Sequence, residues 1–212
     1  MKKTALILAP HTDDGELGCG GTIAKMVENG DDVYYVAFSA AERSLPPELP
    51  RDTLRCEVKA ATRVLGITPD HLVVLNYDVR DFPAHRQEIL DDMIRLQRSI
   101  HPDLVLLPAF HDLHQDHTTI AMEGLRAFKT TTMLGYELPW NNMTFSTTAF
   151  VFLEERHINR KIEALACYLS QRGRSYADGD FVRSLAKARG IQIGATYAEA
   201  FEVIRWVLNG EI

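Results

Sequence analysis

Two short segments of the sequence carry residue types that bind metal ions. Residues 10–14 (PHTDD) combine one imidazole with two adjacent carboxylates, and Glu16 adds a third acid nearby. Residues 111–117 (HDLHQDH) hold three of the eight histidines of the chain, together with two further aspartates. Several acids in one turn repel a phosphate and attract a divalent cation. The first segment therefore indicates a metal site rather than a phosphate-binding loop.

The spacing of these residues suits a catalytic zinc ion. Such an ion usually takes three nitrogen or oxygen ligands from the protein and keeps a fourth position open for water. His11 and Asp14 lie three residues apart, and a tight turn can direct both side chains at one ion. One histidine of the second segment would complete the set. Asp13 cannot easily bind the same ion as its neighbour, so it stays free to act as a base.

Both segments follow predicted β-strands in a chain where strands and helices alternate. Such alternation is typical of an α/β fold in which a mostly parallel sheet is covered on both faces. Residues 197–207 fit a helix or a strand, and we assign them to a strand. The other predicted strands cover residues 5–9, 33–38, 71–75, 103–107, 132–136 and 148–153. The predicted helices cover residues 22–27, 52–65, 84–100, 117–128, 158–169 and 178–189.

Strand order decides whether the two segments meet. In the common doubly wound arrangement the first and fourth strands lie side by side, and ligands bind at their carboxyl ends. The predicted strands 5–9 and 103–107 are the first and fourth of this chain. We therefore expect residues 10–14 and 111–117 to face each other across one crevice.

Composition excludes several other classes of protein. The 212 residues predict a single domain over residues 1–212, with a net charge of −6 and interspersed acids and bases. Nucleic acids and anionic membranes are therefore not expected partners. No apolar run has the length of a membrane span, and the N-terminus does not fit a signal peptide. Three cysteines without close pairs predict free thiols, so we expect a cytoplasmic protein.

Three motifs carry a resemblance to a known family. Residues 10–14 (PHTDD), 18–21 (GCGG) and 114–117 (HQDH) together resemble the LmbE-like (PIG-L) family of zinc-dependent de-N-acylases. The resemblance covers the first two thirds of the chain. It implies a Rossmann-like three-layer α/β sandwich. It also implies an activity that removes acetyl groups from substrates containing N-acetylglucosamine, among other amides.

The same resemblance implies a role for individual residues. His11, Asp14 and His117 would bind one zinc ion per chain, and Asp13 would take a proton from the attacking water. His114 would stabilise the oxyanion or protonate the leaving amine. Asp116 would orient His114.

The sequence departs from the family pattern at two positions and leaves one residue open. Thr12 stands where the family usually has proline, and Gly15 precedes Glu16 where an acid commonly follows the second aspartate directly. Neither change touches a proposed ligand, so we expect a retained site with a slightly looser turn. Asp112 either supports a ligand through a hydrogen bond or has no part in the site.

Substrate-side residues are expected in loops at the same edge of the sheet. The proline-rich loop after the second strand and the residues after the third strand both leave this edge, and arginines there suit an anionic group. The loop 137–142 offers an aromatic ring to stack on a sugar, although Trp140 equally fits a buried aromatic. The candidates are Ser39, Glu42, Arg43, Arg80, Arg86, Glu137 and Trp140.

These observations predict zinc-dependent hydrolysis of an N-acyl amide. The expected partner is a small N-acylated substrate, an amino sugar or a related conjugate carrying an N-acetyl group, and a homo-oligomer is left open. Another divalent metal can occupy the same ligands. Two alternatives remain. One is a metal-dependent hydrolase of another bond such as a phosphoester, and the other is a non-catalytic nucleotide- or sugar-binding module.

Overall fold

The computed structural model describes residues 2–208 as strands and helices that alternate along most of the chain. The strands are β1 (Thr4–Ala9), β2 (Asp32–Ala37), β3 (Leu72–Val74), β4 (Leu104–Pro108), β5 (Thr132–Tyr136), β6 (Ala149–Leu153) and β7 (Tyr197–Arg205). The helices are α1 (Asp14–Glu28), α2 (Thr53–Leu65), α3 (Arg86–Ile100), α4 (Gln115–Ala127), α5 (Glu155–Leu165) and α6 (Gly179–Ile191).

All seven strands form one sheet in the order β3-β2-β1-β4-β5-β7-β6. The first five strands of this order are parallel, and β7 runs antiparallel to both β5 and β6. The predicted α/β class with a mostly parallel sheet is confirmed, and the last segment is a strand. β1 and β4 are direct neighbours, with Ile7 paired to Leu106. The two candidate metal-binding segments therefore leave adjacent strands.

The sheet is covered by helices on both faces, which makes three layers. Residues 5–9 of strand β1 are fully buried, and their side chains alternate between the two faces of the sheet, because successive side chains of a strand point in opposite directions. Ile7 packs into the core formed with α1, α2, α5 and α6. Leu8 packs into the second core, formed with α3 and α4. An apolar run without polar alternation is therefore what a strand in this central position requires.

Helix α1 begins at Asp14, eight residues before the start that apolar periodicity predicts. Its first half is rich in glycine, which has poor helix propensity and supplies no apolar pattern. The glycines instead allow close packing of the helix on the sheet: a Cβ atom at Gly18 would lie 2.3 Å from the Tyr136 ring. Cys19 interrupts the helix with a non-helical φ of −145° and divides α1 into two short pieces.

A buried ion pair satisfies the backbone groups that this kink leaves free. The Lys161 ammonium group donates to the Leu17 carbonyl and to Glu199, both at 2.7 Å. The Glu199 carboxylate accepts from the amide groups of Gly21 and Thr22 at 3.0 and 2.7 Å. The lysine therefore caps the piece before the kink, and the glutamate caps the piece after it.

The described helices are short. The longest of them, α1 and α3, contain 15 residues each. None of the helices in residues 2–208 has the length and apolarity needed to cross a bilayer.

Replacing Lys161 by methionine should destabilise the protein strongly. The change leaves Glu199 as a buried charge without its cation, and breaking a buried pair in this way costs about 3–5 kcal/mol. Urea unfolding of the two proteins measures the difference. The control is Lys187→Met on the exposed side of α6, with an expected change below about 0.5 kcal/mol. Equal stabilities of the two variants would show that the ion pair does not stabilise the kink.

Candidate metal centre

The two candidate metal-binding segments meet at the carboxyl ends of β1 and β4. His11 follows β1, and Asp14 is the first residue of α1. His114 immediately precedes α4, and His117 lies in its first turn. The expectation that both segments face one crevice is met, because β1 and β4 are adjacent in the sheet.

Three possible ligand atoms converge on one point. His11 Nδ1 lies 3.1 Å from Asp14 Oδ2, and His117 Nε2 lies 3.3 Å from the same oxygen. The two ring nitrogens are 3.3 Å apart. Two imidazole nitrogens and a carboxylate oxygen are a donor set that suits zinc and related divalent metals. These residues therefore fit a metal ion, in the set that the resemblance to the family implies.

Two further carboxylates orient the imidazole rings. His11 Nε2 donates to Asp116 Oδ2 at 2.9 Å, which leaves Nδ1 of His11 as the ligand atom. His117 Nδ1 donates to Asp112 Oδ2 at 2.7 Å, which leaves Nε2 of His117 as the ligand atom. Carboxylate-bound histidines of this kind are typical of protein metal sites. Asp112, whose role the sequence left open, supports a ring of the candidate centre.

Electrostatics at the centre favour a bound cation. Burial opposes protonation of His11, but Asp14 and the hydrogen bond to Asp116 outweigh it and raise the pKa of His11 to about 9. Burial also opposes protonation of His117, and Asp14 and Asp112 raise its pKa to about 10. In turn, the two rings hold the pKa of Asp14 well below its usual range despite burial. The surrounding carboxylates thus stabilise positive charge at this point.

The carboxylate of Asp116 is hydrogen-bonded to His11 and not to His114, the residue that Asp116 was expected to orient. Its carboxylate also accepts from the backbone amides of Arg80 at 2.6 Å and Phe82 at 3.3 Å. Arg80 adopts a positive φ of 70°, uncommon for a residue with a side chain. The carboxylate of Asp116 is 3.9 Å from His114 Nδ1, too far for a hydrogen bond.

His114 is a neutral donor in this arrangement. Its Nδ1 accepts the backbone amide of Asp116 at 3.2 Å, so this nitrogen carries no proton and Nε2 carries one. Burial and the charges of His117 and His11 lower the pKa of His114. Of the two roles that the resemblance to the family implies for His114, this arrangement favours stabilisation of the oxyanion over protonation of the leaving amine. The His114 ring stacks on His117 with the ring centres 4.6 Å apart, and one ring nitrogen of His114 lies within 4.8 Å of ring nitrogens of His11 and His117.

Asp13 faces the cavity beside the three ligand atoms. Its carboxylate makes no hydrogen bond to the cap of α1, so the capping role that aspartate often has at this position does not explain it. Burial and the charge of Asp14 raise the pKa of Asp13 to about 6. A carboxylate that titrates near neutrality suits general base catalysis.

Glu16 points away from the metal centre, although it belongs to the same acidic turn. It is fully buried and bonded to the hydroxyl groups of Tyr35 and Tyr168. Burial raises the pKa of Glu16 to about 8, against the two hydrogen bonds. The same hydroxyl groups lie 2.9 and 2.6 Å from the Thr12 carbonyl. The hydroxyl groups of Tyr35 and Tyr168 thus hold in place the turn in which Thr12 replaces proline.

The metal centre opens into a cavity of about 340 Å³. The proline-rich loop contributes to its wall through Ala41, Ser44, Leu45 and Pro46. Trp140 also lines the cavity, with 37% of its surface exposed. Its proposed contact with a sugar stays a prediction.

The other six substrate-side candidates do not line this cavity. Ser39 is buried, and its hydroxyl oxygen accepts from the Ala41 amide at 3.0 Å. Arg80 contributes its backbone amide to the metal centre, and its side chain is exposed. The remaining four are engaged in ion pairs: Glu42 with Arg55, Arg43 with Asp78, Arg86 with Glu123, and Glu137 with Arg189.

One part of the cavity wall had no sequence signal. Ser170, Gln171, Arg174 and Tyr176 line the cavity from the irregular segment between α5 and α6. This segment lies more than fifty residues beyond the second histidine motif and has no recognisable pattern of its own. The packing of α5 against α1 and α2, together with the hydrogen bonds from Ser170 to Glu57 of α2, brings it to the site.

Comparison with known proteins identifies the family of the chain. The family model for PIG-L, described as GlcNAc-PI de-N-acetylase, matches residues 6–128, which is more than half of the chain. This range contains both candidate metal-binding segments. The chain belongs to the PIG-L family.

Individual relatives are distant. The chain is 27% identical over 172 residues to YaiS of Escherichia coli, named an uncharacterized deacetylase, covering 77% of this chain and 89% of YaiS. It is 28% identical over 134 residues to the diacetylchitobiose deacetylase of Thermococcus kodakarensis, covering 59% of this chain and 49% of that protein. It is also 28% identical over 134 residues to the 4-oxalmesaconate hydratase of Pseudomonas putida, covering 57% of this chain and 49% of that protein. The chain thus aligns with about half of the last two proteins.

A solved structure shares the fold over nearly the whole chain. The conserved protein TT1542 of Thermus thermophilus superimposes with a TM-score of 0.80 at 24% identity. The match covers 98% of this chain and 97% of that protein. The three-layer α/β fold is therefore the fold of a known structural group.

Removing either orienting carboxylate should weaken metal binding. Asp112→Asn and Asp116→Asn each replace a charged partner of a ligand histidine, and such changes typically lower metal affinity about 10- to 100-fold. Competition with a chromogenic chelator measures the zinc affinity of each variant. Asp70→Asn, at an exposed position, serves as the control and should bind zinc like the unmodified protein. Unchanged affinity in both variants would exclude the assigned hydrogen bonds as determinants of the site.

Proposed function

We propose that this protein hydrolyses an N-acyl amide, most simply an N-acetyl group, on an amino sugar or a related small conjugate, with zinc as cofactor. The observation that supports the proposal best is the convergence of His11, Asp14 and His117 beside a cavity that Asp13 and His114 also line. An amide is a poor electrophile. Its hydrolysis needs an activated water, a stabilised oxyanion and a proton for the leaving nitrogen, and the residues of this site can supply all three.

His11, Asp14 and His117 would hold one zinc ion per chain. When bound, such an ion polarises a carbonyl group and lowers the pKa of water toward neutrality. The same ligands also accept other divalent metals, so zinc is the proposed ion rather than the sole candidate.

Asp13 would act as the general base. Its carboxylate has no other partner among the described side chains and faces the cavity, so it can accept a proton from the attacking water. Once protonated, the same group can pass that proton to the departing amine. The raised pKa of Asp13 suits both steps, because a group that titrates near the working pH accepts and releases protons readily.

His114 would stabilise the developing oxyanion as a neutral hydrogen-bond donor. Its Nδ1 is occupied by the Asp116 amide, so Nε2 carries the proton. A donor that is fixed before the reaction stabilises transition-state charge without reorganisation.

The choice of an amide on a sugar draws on the relatives. The family model and the diacetylchitobiose deacetylase name reactions that remove N-acetyl groups from sugars. Trp140 offers the cavity an aromatic face of the kind that sugars stack on. The hydratase relative shows that a protein similar to this chain can add water to its substrate in another reaction. The reaction class therefore needs a direct test.

An amine-release assay over a panel of N-acetylated amino sugars provides this test, with zinc-loaded protein. We expect release of free amine, loss of turnover after chelation and recovery with zinc. Phosphate release from sugar phosphates, without amine release, would favour the alternative in which the protein hydrolyses a phosphoester. Ligand binding that is unchanged by chelation, without any turnover, would favour a binding module.

Asp13→Asn should lower kcat by about 10²- to 10⁴-fold, the usual range for loss of a general base. The substitution removes the proton acceptor and leaves the three proposed ligands in place, so the zinc content should stay at one per chain. Metal analysis and steady-state kinetics on the same preparation measure both quantities. Near-normal turnover by metal-loaded Asp13→Asn would contradict the assignment of the base.

The activity should rise with pH through an ionisation near pH 6. A general base works when deprotonated, and burial together with Asp14 raises the pKa of Asp13 to about 6. A bound cation would lower this value, so the midpoint of the acidic limb should lie at or below about pH 6. A profile of kcat/KM against pH measures it. The acidic limb should be absent from the pH profile of the residual activity of Asp13→Asn. If the limb persists in that variant, another ionisable group causes it.

A further inference from the structure

The irregular segment between α5 and α6 places one arginine at the rim of the metal-centre cavity. Arg174 lines the same cavity as Asp13 and His114. Burial and Asp14 raise the pKa of Asp13, and the positive charge of Arg174 acts in the opposite direction. The guanidinium therefore lies within electrostatic range of the Asp13 carboxylate. The two side chains are nevertheless not in salt-bridge contact.

Aromatic contacts hold the Arg174 side chain in place. Its guanidinium donates to the Tyr176 hydroxyl and lies 5.7 Å from the centre of the Tyr176 ring. Tyr176 stacks on Trp140, with ring centres 4.2 Å apart and planes 18° from parallel. A long side chain that is supported in this way loses less conformational freedom when it binds a ligand than a free one does.

Arg174 also lacks an acidic partner within the described part of the protein. Among residues 2–208, no carboxylate forms an ion pair with its guanidinium, whereas Arg43, Arg86 and Arg189 are all paired with acids. Arg43 and Arg86 are two of the arginines that the sequence offered for an anionic group. Arg174 was not among the candidates from the sequence. It is the cavity-lining arginine whose guanidinium is available to bind an anion.

A second polar group of the same segment is also unsatisfied. The side-chain oxygen of Gln171 is buried and accepts no hydrogen bond from the described part of the chain. Gln171 lines the same cavity. Buried acceptors are almost always paired, so a hydroxyl group of a ligand is a suitable donor for this oxygen.

We propose that the substrate is an anionic sugar conjugate, whose carboxylate or phosphate group binds Arg174 while its N-acyl group reaches the metal centre. This inference rests on the proposed function and adds the charge of the substrate to it. A guanidinium group matches both anions, because its planar fork can donate two parallel hydrogen bonds. Arg174 is thus assigned as a specificity residue rather than a catalytic one.

The test compares three substrates that differ in charge: N-acetylglucosamine 1-phosphate, N-acetylmuramic acid as the carboxylate, and methyl N-acetylglucosaminide as the neutral form. We expect the unmodified enzyme to favour at least one anionic substrate in kcat/KM by about tenfold or more over the neutral one. Hydrogen bonds to charged groups typically have effects of this size. The favoured anion distinguishes a phosphate from a carboxylate.

At a pH well above the acidic limb, where Asp13 is ionised in both proteins, Arg174→Gln should abolish this preference and leave kcat/KM for the neutral substrate within about twofold. Arg172→Gln is the matched control, because Arg172 is exposed in the same segment and does not line the cavity. It should retain the preference. Equal losses on anionic and neutral substrates in Arg174→Gln would overturn the inference, since they would place Arg174 in the catalytic machinery. The absence of any preference in the unmodified enzyme would also overturn it.

A binding measurement separates failure of this inference from failure of the proposed function. Calorimetry with glucosamine 1-phosphate and methyl glucosaminide needs no turnover, and both variants carry the same metal centre. We expect Arg174→Gln to bind the sugar phosphate at least about tenfold more weakly than Arg172→Gln. Equal affinities would overturn the inference even if the amidase is active. A selective loss would support the anion site even if no amine is released.

Discussion

The hydrogen bond between His11 and Asp116 joins two turns that lie 105 residues apart in the chain. A second hydrogen bond of the same kind joins His117 to Asp112. Each bond fixes which nitrogen of a ring carries a proton, and so decides which nitrogen is free to bind a metal. Both turns leave neighbouring parallel strands, so the sheet brings them together. The candidate chemistry depends on these bonds, because rings in the other tautomer would direct protons at the point where the ligand atoms meet.

The position of Asp14 depends on contacts far from the metal centre. Asp14 is the first residue of α1, and the kink at Cys19 separates this first piece from the rest of the helix. Lys161 and Glu199 satisfy the backbone on the two sides of the kink, and the absence of side chains at the glycines lets α1 lie close to the sheet. A buried ion pair on α5 and β7 thus helps to fix a proposed metal ligand. The relatively apolar surroundings also make each charged group there dependent on its partner.

Much of the fold and the ligand set could be predicted from the sequence, because the signals are local. Apolar runs and the spacing of His11 and Asp14 report on single strands and turns, and the strand order follows a common rule. The partner of Asp116 could not be predicted, since a carboxylate two residues from one histidine and adjacent to another can reach either ring, or a third one across the sheet. The early start of α1 was hidden by glycines, which have no periodic pattern. The position of Arg174 in the cavity wall could not be predicted either, because it depends on tertiary packing and has no local sequence signal.

The irregular segment between α5 and α6 stands in contrast to the helices and strands that carry the metal ligands. The proposed ligands lie in the turn after β1 and in the first turns of α1 and α4, next to the ends of buried strands, whereas much of the cavity rim consists of loops. Loops tolerate insertion and exchange far better than buried elements do. A lineage can therefore change which molecules enter the cavity while the candidate metal centre stays as it is. This division is consistent with the similarity of the chain to proteins that are named for different reactions.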